Sequence, residues 1–202
     1  MHITDGTPIP PALLVGAGCA AAALTAWTLP ALGRASPARV AGATSVFFVA
    51  SQLAFPIGFT SVHLSFLGLT GVLLGRAAWP AVLVGLFLQR ALLGHGGWTT
   101  LPLNCCTMGL GALVAALVFH VRRPDVRGAP LRAGLAAFAG GAVALGLYGA
   151  ALLSAGDALE QVAWVCLVLH APVVIVELLV TAQAVAYLAR VQPELLAPGP
   201  PP

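Results

Sequence analysis

The first six residues, Met1-His2-Ile3-Thr4-Asp5-Gly6, put a free α-amine next to an imidazole. The amine, the deprotonated amide nitrogen between Met1 and His2, and the near ring nitrogen of His2 can close two fused chelate rings on one ion. A fourth nitrogen from elsewhere in the chain would complete a tetragonal or square-planar set, the geometry that divalent nickel and copper favour. A His at the second position is on its own more often solvated than a ligand. The remainder of the chain therefore has to supply both the missing nitrogen and the walls around it. Removal of Met1, or cleavage of a leader, would destroy such a site.

The elements that could do this are apolar. The chain has 202 residues, of which 59% are hydrophobic and only 7% charged, too few charges for a water-facing surface. An all-α integral membrane protein is expected, with apolar runs near the ~20 residues that cross ~30 Å of hydrocarbon. Residues 1–196 read as a single helical membrane domain carrying the chelating tip (1–6), and 197–202 as a Pro-rich tail. All nine basic residues are Arg, and without a Lys there is no phosphate-binding loop of the Walker A type. Any ATP would have to be hydrolysed by another chain. The Arg residues sit in loops at membrane ends, which speaks to topology and not to nucleic acid. Cys19, Cys105, Cys106 and Cys166 lie in apolar runs without zinc-type spacing.

The first run, 11–32, is preceded by Asp5 and followed by Arg34 and Arg39, the reverse of a signal peptide. The amino terminus is then outside. A second helix over 40–57 returns outward. The stretch 61–94 is too long for one span and is broken at Arg76 and Pro80, so two helices are expected, 61–75 and 78–94, the first short enough to be tilted or re-entrant. Helices at 101–121, 131–153 and 161–189 follow, with Asp157 and Glu160 in the outer loop between the last two. About seven transmembrane helices result, with the carboxy terminus cytoplasmic, and eight of the nine Arg on the inner side. Arg90 falls within the fourth helix of the pair.

On this topology His63 opens the third helix at the outer surface, and His95 closes the fourth on the same side as Met1, His2 and Asp5. Either His could bring the fourth nitrogen. Asp5 could accept the far ring N–H of a metal-bound His2 and fix its tautomer, or Asp5-Gly6 could be only a turn. Thr99 and Asn104 are further candidates for the pocket. Gln89, like other polar groups at membrane depth, reads by default as an interhelical hydrogen-bonding residue. In the last helix His170, Glu177 and Thr181 share one face. A buried carboxylate there is a functional, structural or partner-contact candidate.

Four segments carry a resemblance: MHITDG (1–6), FPIGFTSVHLSFLGLTGVLLG (55–75), LFLQRALLGHGGWTTLPLNCCTMG (86–109) and HAPVVIVELLVTAQAVAYLARVQPELL (170–196). In order and in combination they resemble the CbiM/NikM family, the substrate-binding membrane components of energy-coupling factor transporters for cobalt and nickel. Residues 110–169 match only in hydrophobic character. The resemblance implies a near-planar site of four nitrogens: the Met1 amine, the His2 amide and ring, and the His63 ring. It implies as partners a transmembrane coupling subunit, two cytoplasmic ATPases and often a small auxiliary membrane subunit, all in the cytoplasmic membrane of a prokaryote. Divalent cobalt, for cobalamin synthesis, or nickel would be cargo, with no permanent cofactor and no enzyme activity in this chain. Phe66 departs from the Ser/Thr/Pro-rich surroundings that many members have after the motif His. Cys105 and Cys106 are also unusual and would bias metal preference if they faced the site.

Two other classes compete. A haem-bearing membrane protein, or another His-dependent one outside transport, would use paired His as ligands. A membrane hydrolase would use Ser61 or Ser65 with His63, although no nucleophile elbow or Glu-bearing zinc motif is present.

Overall fold

A computed structural model describes residues 2–57, 60–121 and 127–196. Helix α1 (Pro11–Arg34) is followed by α2 (Pro37–Ala50) and a two-stranded antiparallel hairpin, β1 (Ala54–Ile57) and β2 (Thr60–His63), in which Ala54 pairs with His63 and Ile57 with Thr60. Then come α3 (Leu67–Leu74), a 3-10 turn (Gly75–Ala77), α4 (Ala78–Leu93), α5 (Leu101–His120), α6 (Ala129–Leu153) and α7 (Asp157–Val191). Prolines sit in the first turn of α1, α2, α5 and α6, where a missing N–H leaves no hydrogen bond unmade. Among the described residues, five apolar stretches are long enough by length and composition to cross a membrane: Pro11–Arg34, Leu67–Leu93, which the break at Gly75 divides, Leu101–His120, Ala129–Leu153 and Asp157–Val191. The chain is thus a multi-pass helical membrane protein.

The bundle closes on small residues. The Cβ of any side chain at Gly111 would lie 2.6 Å from the Gly140 carbonyl oxygen, and one at Gly71 would lie 2.2 Å from that of Ala112. Backbones therefore touch between α5 and α6 and between α3 and α5, as packing inside lipid favours. Trp79 fills the space over Gly109, and its Nε1 donates to Thr25 Oγ1 of α1 at 2.9 Å. Much of α1 faces outward, with only Ala17, Ala21 and Thr28 buried.

Three expectations are corrected. The second helix stops at Ala50, because Pro56 and the β-branched and aromatic residues around Gly58 favour extended chain. The third helix covers only Leu67–Leu74, so His63 ends β2 and does not open a helix at the outer surface. Asp157 and Glu160 form the first turn of α7, where their charge complements the helix dipole, instead of an outer loop. At 35 residues, α7 is ~52 Å long and outreaches the hydrocarbon.

The reversal at Arg76 is retained. Gly75, with φ +56°, breaks the helix between α3 and α4. Arg76 then lines one cavity, of about 940 Å³, together with Arg34, Arg39 and His120. Three of the residues assigned to the inner side, Arg34, Arg39 and Arg76, thus share one end of the bundle. Arg122, Arg123 and the tail 197–202 lie outside the described residues.

A branched side chain at the α5–α6 contact tests this packing. Gly111→Val is expected to cost about 1–3 kcal/mol, seen as a lower thermal midpoint in detergent, since both backbones must move apart. Gly16→Ala, with nothing within 4 Å of its Cβ, should leave the midpoint unchanged.

Candidate metal centre

The amino-terminal segment folds back into the end of the bundle opposite Arg76, and one side chain holds it there. Asn104, in the first turn of α5, accepts from the Ile3 N–H through Oδ1 at 2.8 Å and donates Nδ2 to the Ile3 carbonyl at 2.8 Å. Thr100 Oγ1 donates to the same carbonyl at 2.6 Å. Ile3 is only 1% exposed and packs with Leu103, Tyr148 and Cys166. Further along, Asp5 accepts from the Trp98 N–H at 2.9 Å and from the Thr99 N–H and hydroxyl at 3.0 and 2.6 Å, with Arg90 at 3.5 Å. These bonds, the Thr99 hydroxyl first, hold its carboxyl below the usual carboxylate range. Asp5 therefore ties the tip to the 94–100 loop and does not take the His2 ring proton.

That proton goes to Gln89. His2 Nε2 lies 2.7 Å from Gln89 Oε1, which can only accept, so Nε2 carries the hydrogen and Nδ1 is bare. His63 Nδ1 lies 3.1 Å from the Leu64 carbonyl oxygen, also only an acceptor, so Nδ1 carries the hydrogen and Nε2 has a lone pair to offer. His63 Nε2 and His2 Nδ1 face each other at 3.1 Å, with ring centroids 4.9 Å apart. Two nitrogens bound at right angles to one ion, each at ~2.0–2.1 Å, stand ~2.9 Å apart. The pair has the spacing of adjacent ligands on a single ion. Burial pulls the His2 ring down to about 3 and the His63 ring down to about 2, so both are neutral at ordinary pH.

His63 is held from α7. One oxygen of Glu177 accepts from the Ser65 N–H, from Ser65 Oγ at 2.8 Å and from the Phe66 N–H at 3.0 Å. The carboxylate thereby caps α3 from a different helix and supports Phe66 in the left-handed region, φ +49°. Of the other candidates, the His95 ring lies 5.9 Å from His2, and Thr99 and Asn104 act through the tip's backbone and Asp5. His170 is buried and donates Nδ1 to the Cys166 carbonyl at 2.8 Å, 6.1 Å from the Tyr148 ring. Cys105 is in the apolar core, and Cys106 Sγ points at the Ala17 carbonyl oxygen. Gly96 and Gly97 were not anticipated: a Cβ on Gly97 would fall 2.2 Å from Asp5 Oδ1. The Gly-Gly pair next to His95 was the available signal.

Among the described residues no three His, Cys, Asp or Glu side chains converge as a metal-binding group. Two imidazoles alone face one point, and the position of Met1 is outside the described residues. Their stacking at 4.9 Å leaves no slot for a macrocycle between them, which disfavours a haem site.

A bundle of apolar helices holding two buried, facing imidazoles at one end defines a helical membrane protein with a nitrogen-rich site. The chain belongs to the CbiM family, described as the cobalt uptake substrate-specific transmembrane region, whose model matches residues 2–195. It is 30% identical over 201 residues to a putative metal transport protein of Haemophilus influenzae, covering 97% of both chains. It is 35% identical over 182 residues to the fused nickel transport protein NikMN of Rhodobacter capsulatus, matching 75% of this chain and half of that one. Two crystal structures of transition metal transporters, one truncated, share the fold with TM-scores of 0.68 and 0.69 at 21% identity, covering 93% and 95% of this chain and 98% and 93% of theirs.

Two outcomes are expected for the tip. Gly97→Ala and Asn104→Ala should each speed hydrogen exchange at the Ile3 amide, whereas the exposed Thr4→Ala should not. An undocked His ring takes its proton near pH ~6.5, but the docked rings do so only near 3 and 2. Docking is then fully present above that pH and lost as pH falls toward 3. Ile3 protection, corrected for intrinsic rate, should decline from pH 7 to 4.

Proposed function

We propose that this chain captures divalent nickel or cobalt at the outer face of a prokaryotic cytoplasmic membrane, as the substrate-binding component of an energy-coupling factor importer. The observation that carries the reading is the 3.1 Å approach of His2 Nδ1 and His63 Nε2. The Met1 amine and the His2 amide nitrogen, adjacent in the chain to the first of these, complete a four-nitrogen set through two fused chelate rings. Asn104 and Asp5 hold the chelating tip, Gln89 the His2 ring, and Glu177 the segment bearing His63. An all-nitrogen tetragonal set suits nickel and accommodates cobalt. The ion is cargo and not a resident cofactor.

Arg34, Arg39 and Arg76 share the end of the bundle opposite His2, which supports an amino terminus outside and a carboxy terminus in the cytoplasm. Residues 1–196 form one transport domain on this reading. Having no Lys, the chain lacks a phosphate-binding loop of its own, so ATP hydrolysis falls to two cytoplasmic ATPases acting through a coupling subunit. A small auxiliary membrane subunit is consistent with the fused relative, in which this region is about half of a nickel transport protein. Cobalt captured this way would serve cobalamin synthesis.

Isothermal titration with nickel and cobalt tests the site. The chain beginning at Met1 should bind. One extra residue before Met1, or His63→Ala, should weaken binding by more than the ~10–100-fold that loss of an outer partner costs. Undiminished binding in both variants would refute the ligand set. Since the amine must lose its proton, with an ordinary pKa of ~7.7–8.0, affinity should fall as pH drops from 8 to 6, a range in which both rings stay neutral.

A further inference from the structure

The cavity of about 940 Å³ lies at the end of the bundle opposite His2 and shares no residue with the metal centre. Its wall is apolar, with Leu73, Leu110, Leu113, Val114 and Leu117 lining it between α1, the turn at Gly75 and the second half of α5. Along α5 the lining runs from Leu110 to His120, ~15 Å, which is half of the ~30 Å of hydrocarbon and so one leaflet deep.

The rim is cationic. Arg34 ends α1, Arg39 lies in the first turn of α2 and Arg76 sits in the 3-10 turn, and all three line the same cavity. Glu194 is the one acidic side chain in the lining. Arg76 lies over the Trp27 ring at 4.3 Å and spends one N–H on the Trp27 carbonyl oxygen at 3.1 Å, which leaves other donors of its guanidinium for a further acceptor. Arg34 is exposed and makes no hydrogen bond or ion pair among the described residues. Arg39 donates to the Leu195 carbonyl oxygen and adds its charge to the rim.

Three guanidiniums against one carboxylate, at the mouth of an apolar slot one leaflet deep, match a ligand with the same two parts. A soluble phosphate would leave the apolar wall uncovered, and a neutral chain would leave the rim cations without a counter-charge. A phospholipid already stands at that depth in a bilayer, head group toward the rim.

We propose that this cavity binds an anionic phospholipid of the adjoining leaflet, with its phosphate between Arg34 and Arg76 and an acyl chain along Leu110, Leu113 and Leu117. Guanidiniums bind phosphate through paired N–H donors, and basic pockets between spanning helices on the cytoplasmic side take such head groups. The lipid also seats α1. That helix, which follows the chelating tip, buries only Ala17, Ala21 and Thr28, and a lipid between Trp27, Arg34 and α5 joins its inner end to the bundle. Only the name of the leaflet, cytoplasmic, rests on the orientation proposed above; the metal ligands play no part.

Native mass spectrometry of the full chain in detergent tests the site, with phosphatidylglycerol and phosphatidylcholine of identical acyl chains as probes. One phosphatidylglycerol should bind more tightly than phosphatidylcholine, and Arg34→Gln and Arg76→Gln should each weaken it ~5-fold, the effect of one cation beside an anionic lipid. Arg190→Gln, which removes an exposed cation from the last turn of α7 and away from the cavity, should change nothing. Phosphatidylglycerol should raise the thermal midpoint of the wild type and not that of the Arg34→Gln/Arg76→Gln double variant, whose own cooperative transition shows that it folds. Equal binding of the two lipids, or phosphatidylglycerol binding that survives both substitutions unchanged, would overturn the site. Competition by glycerol phosphate would overturn it as well, in favour of a soluble anion, and a cavity that binds neither lipid would be a groove for a protein partner instead.

Discussion

His2 Nδ1 and His63 Nε2 meet 3.1 Å apart, each ring held from behind by a hydrogen bond to an acceptor. Two segments remote in sequence do not stay at that distance unaided, and side chains from three helices impose it. One ring comes from the second residue of the chain and the other from the end of a hairpin, neither of them on a helix. Each is disciplined from a helix instead: Gln89 of α4 behind His2, and Glu177 of α7 below His63. Asn104 treats Ile3 as a strand would, satisfying both its backbone groups. Flexible segments so fixed can carry a site that a spanning helix, with its own backbone closed in hydrogen bonds, could not supply through main-chain nitrogen.

The same economy explains the unusual local structure. A β-hairpin and a left-handed Phe66 inside an apolar protein leave backbone groups that lipid cannot satisfy. Here the two strands pair with each other, and the carboxylate of Glu177 takes up the N–H groups of Ser65 and Phe66 at the start of α3. A buried carboxylate is costly without partners; three donors on one oxygen supply them. Close backbone contact at Gly71, Gly111 and Gly140 packs α3, α5 and α6 tightly against one another.

Much of this was legible in the residues. Charge placement marked Arg76 as a reversal point, and chelate chemistry and topology brought His2 to the same face as His63 and His95, the choice of His63 resting on the resemblance. The hairpin was not legible, because an apolar run such as 40–57 has the same hydropathy whether it is helix or buried strand; Pro56 was the one local sign against a helix. Asp5 was assigned to His2 on proximity in sequence, whereas the folded tip brings it to the 98–99 amides, which compete better for a carboxylate. Gln89 read only as an interhelical residue, since nothing in its neighbours along α4 says that a ring from residue 2 will reach it.

The central claim is that His2 and His63 bind one ion together. X-ray absorption at the nickel edge of the loaded full chain addresses it directly, because imidazoles leave a distinct multiple-scattering pattern. The expected result is a shell of light atoms only, containing two imidazoles, that drops to one in His63→Ala. A shell with a sulfur neighbour, or one with fewer than two imidazoles in the wild type, would contradict the account.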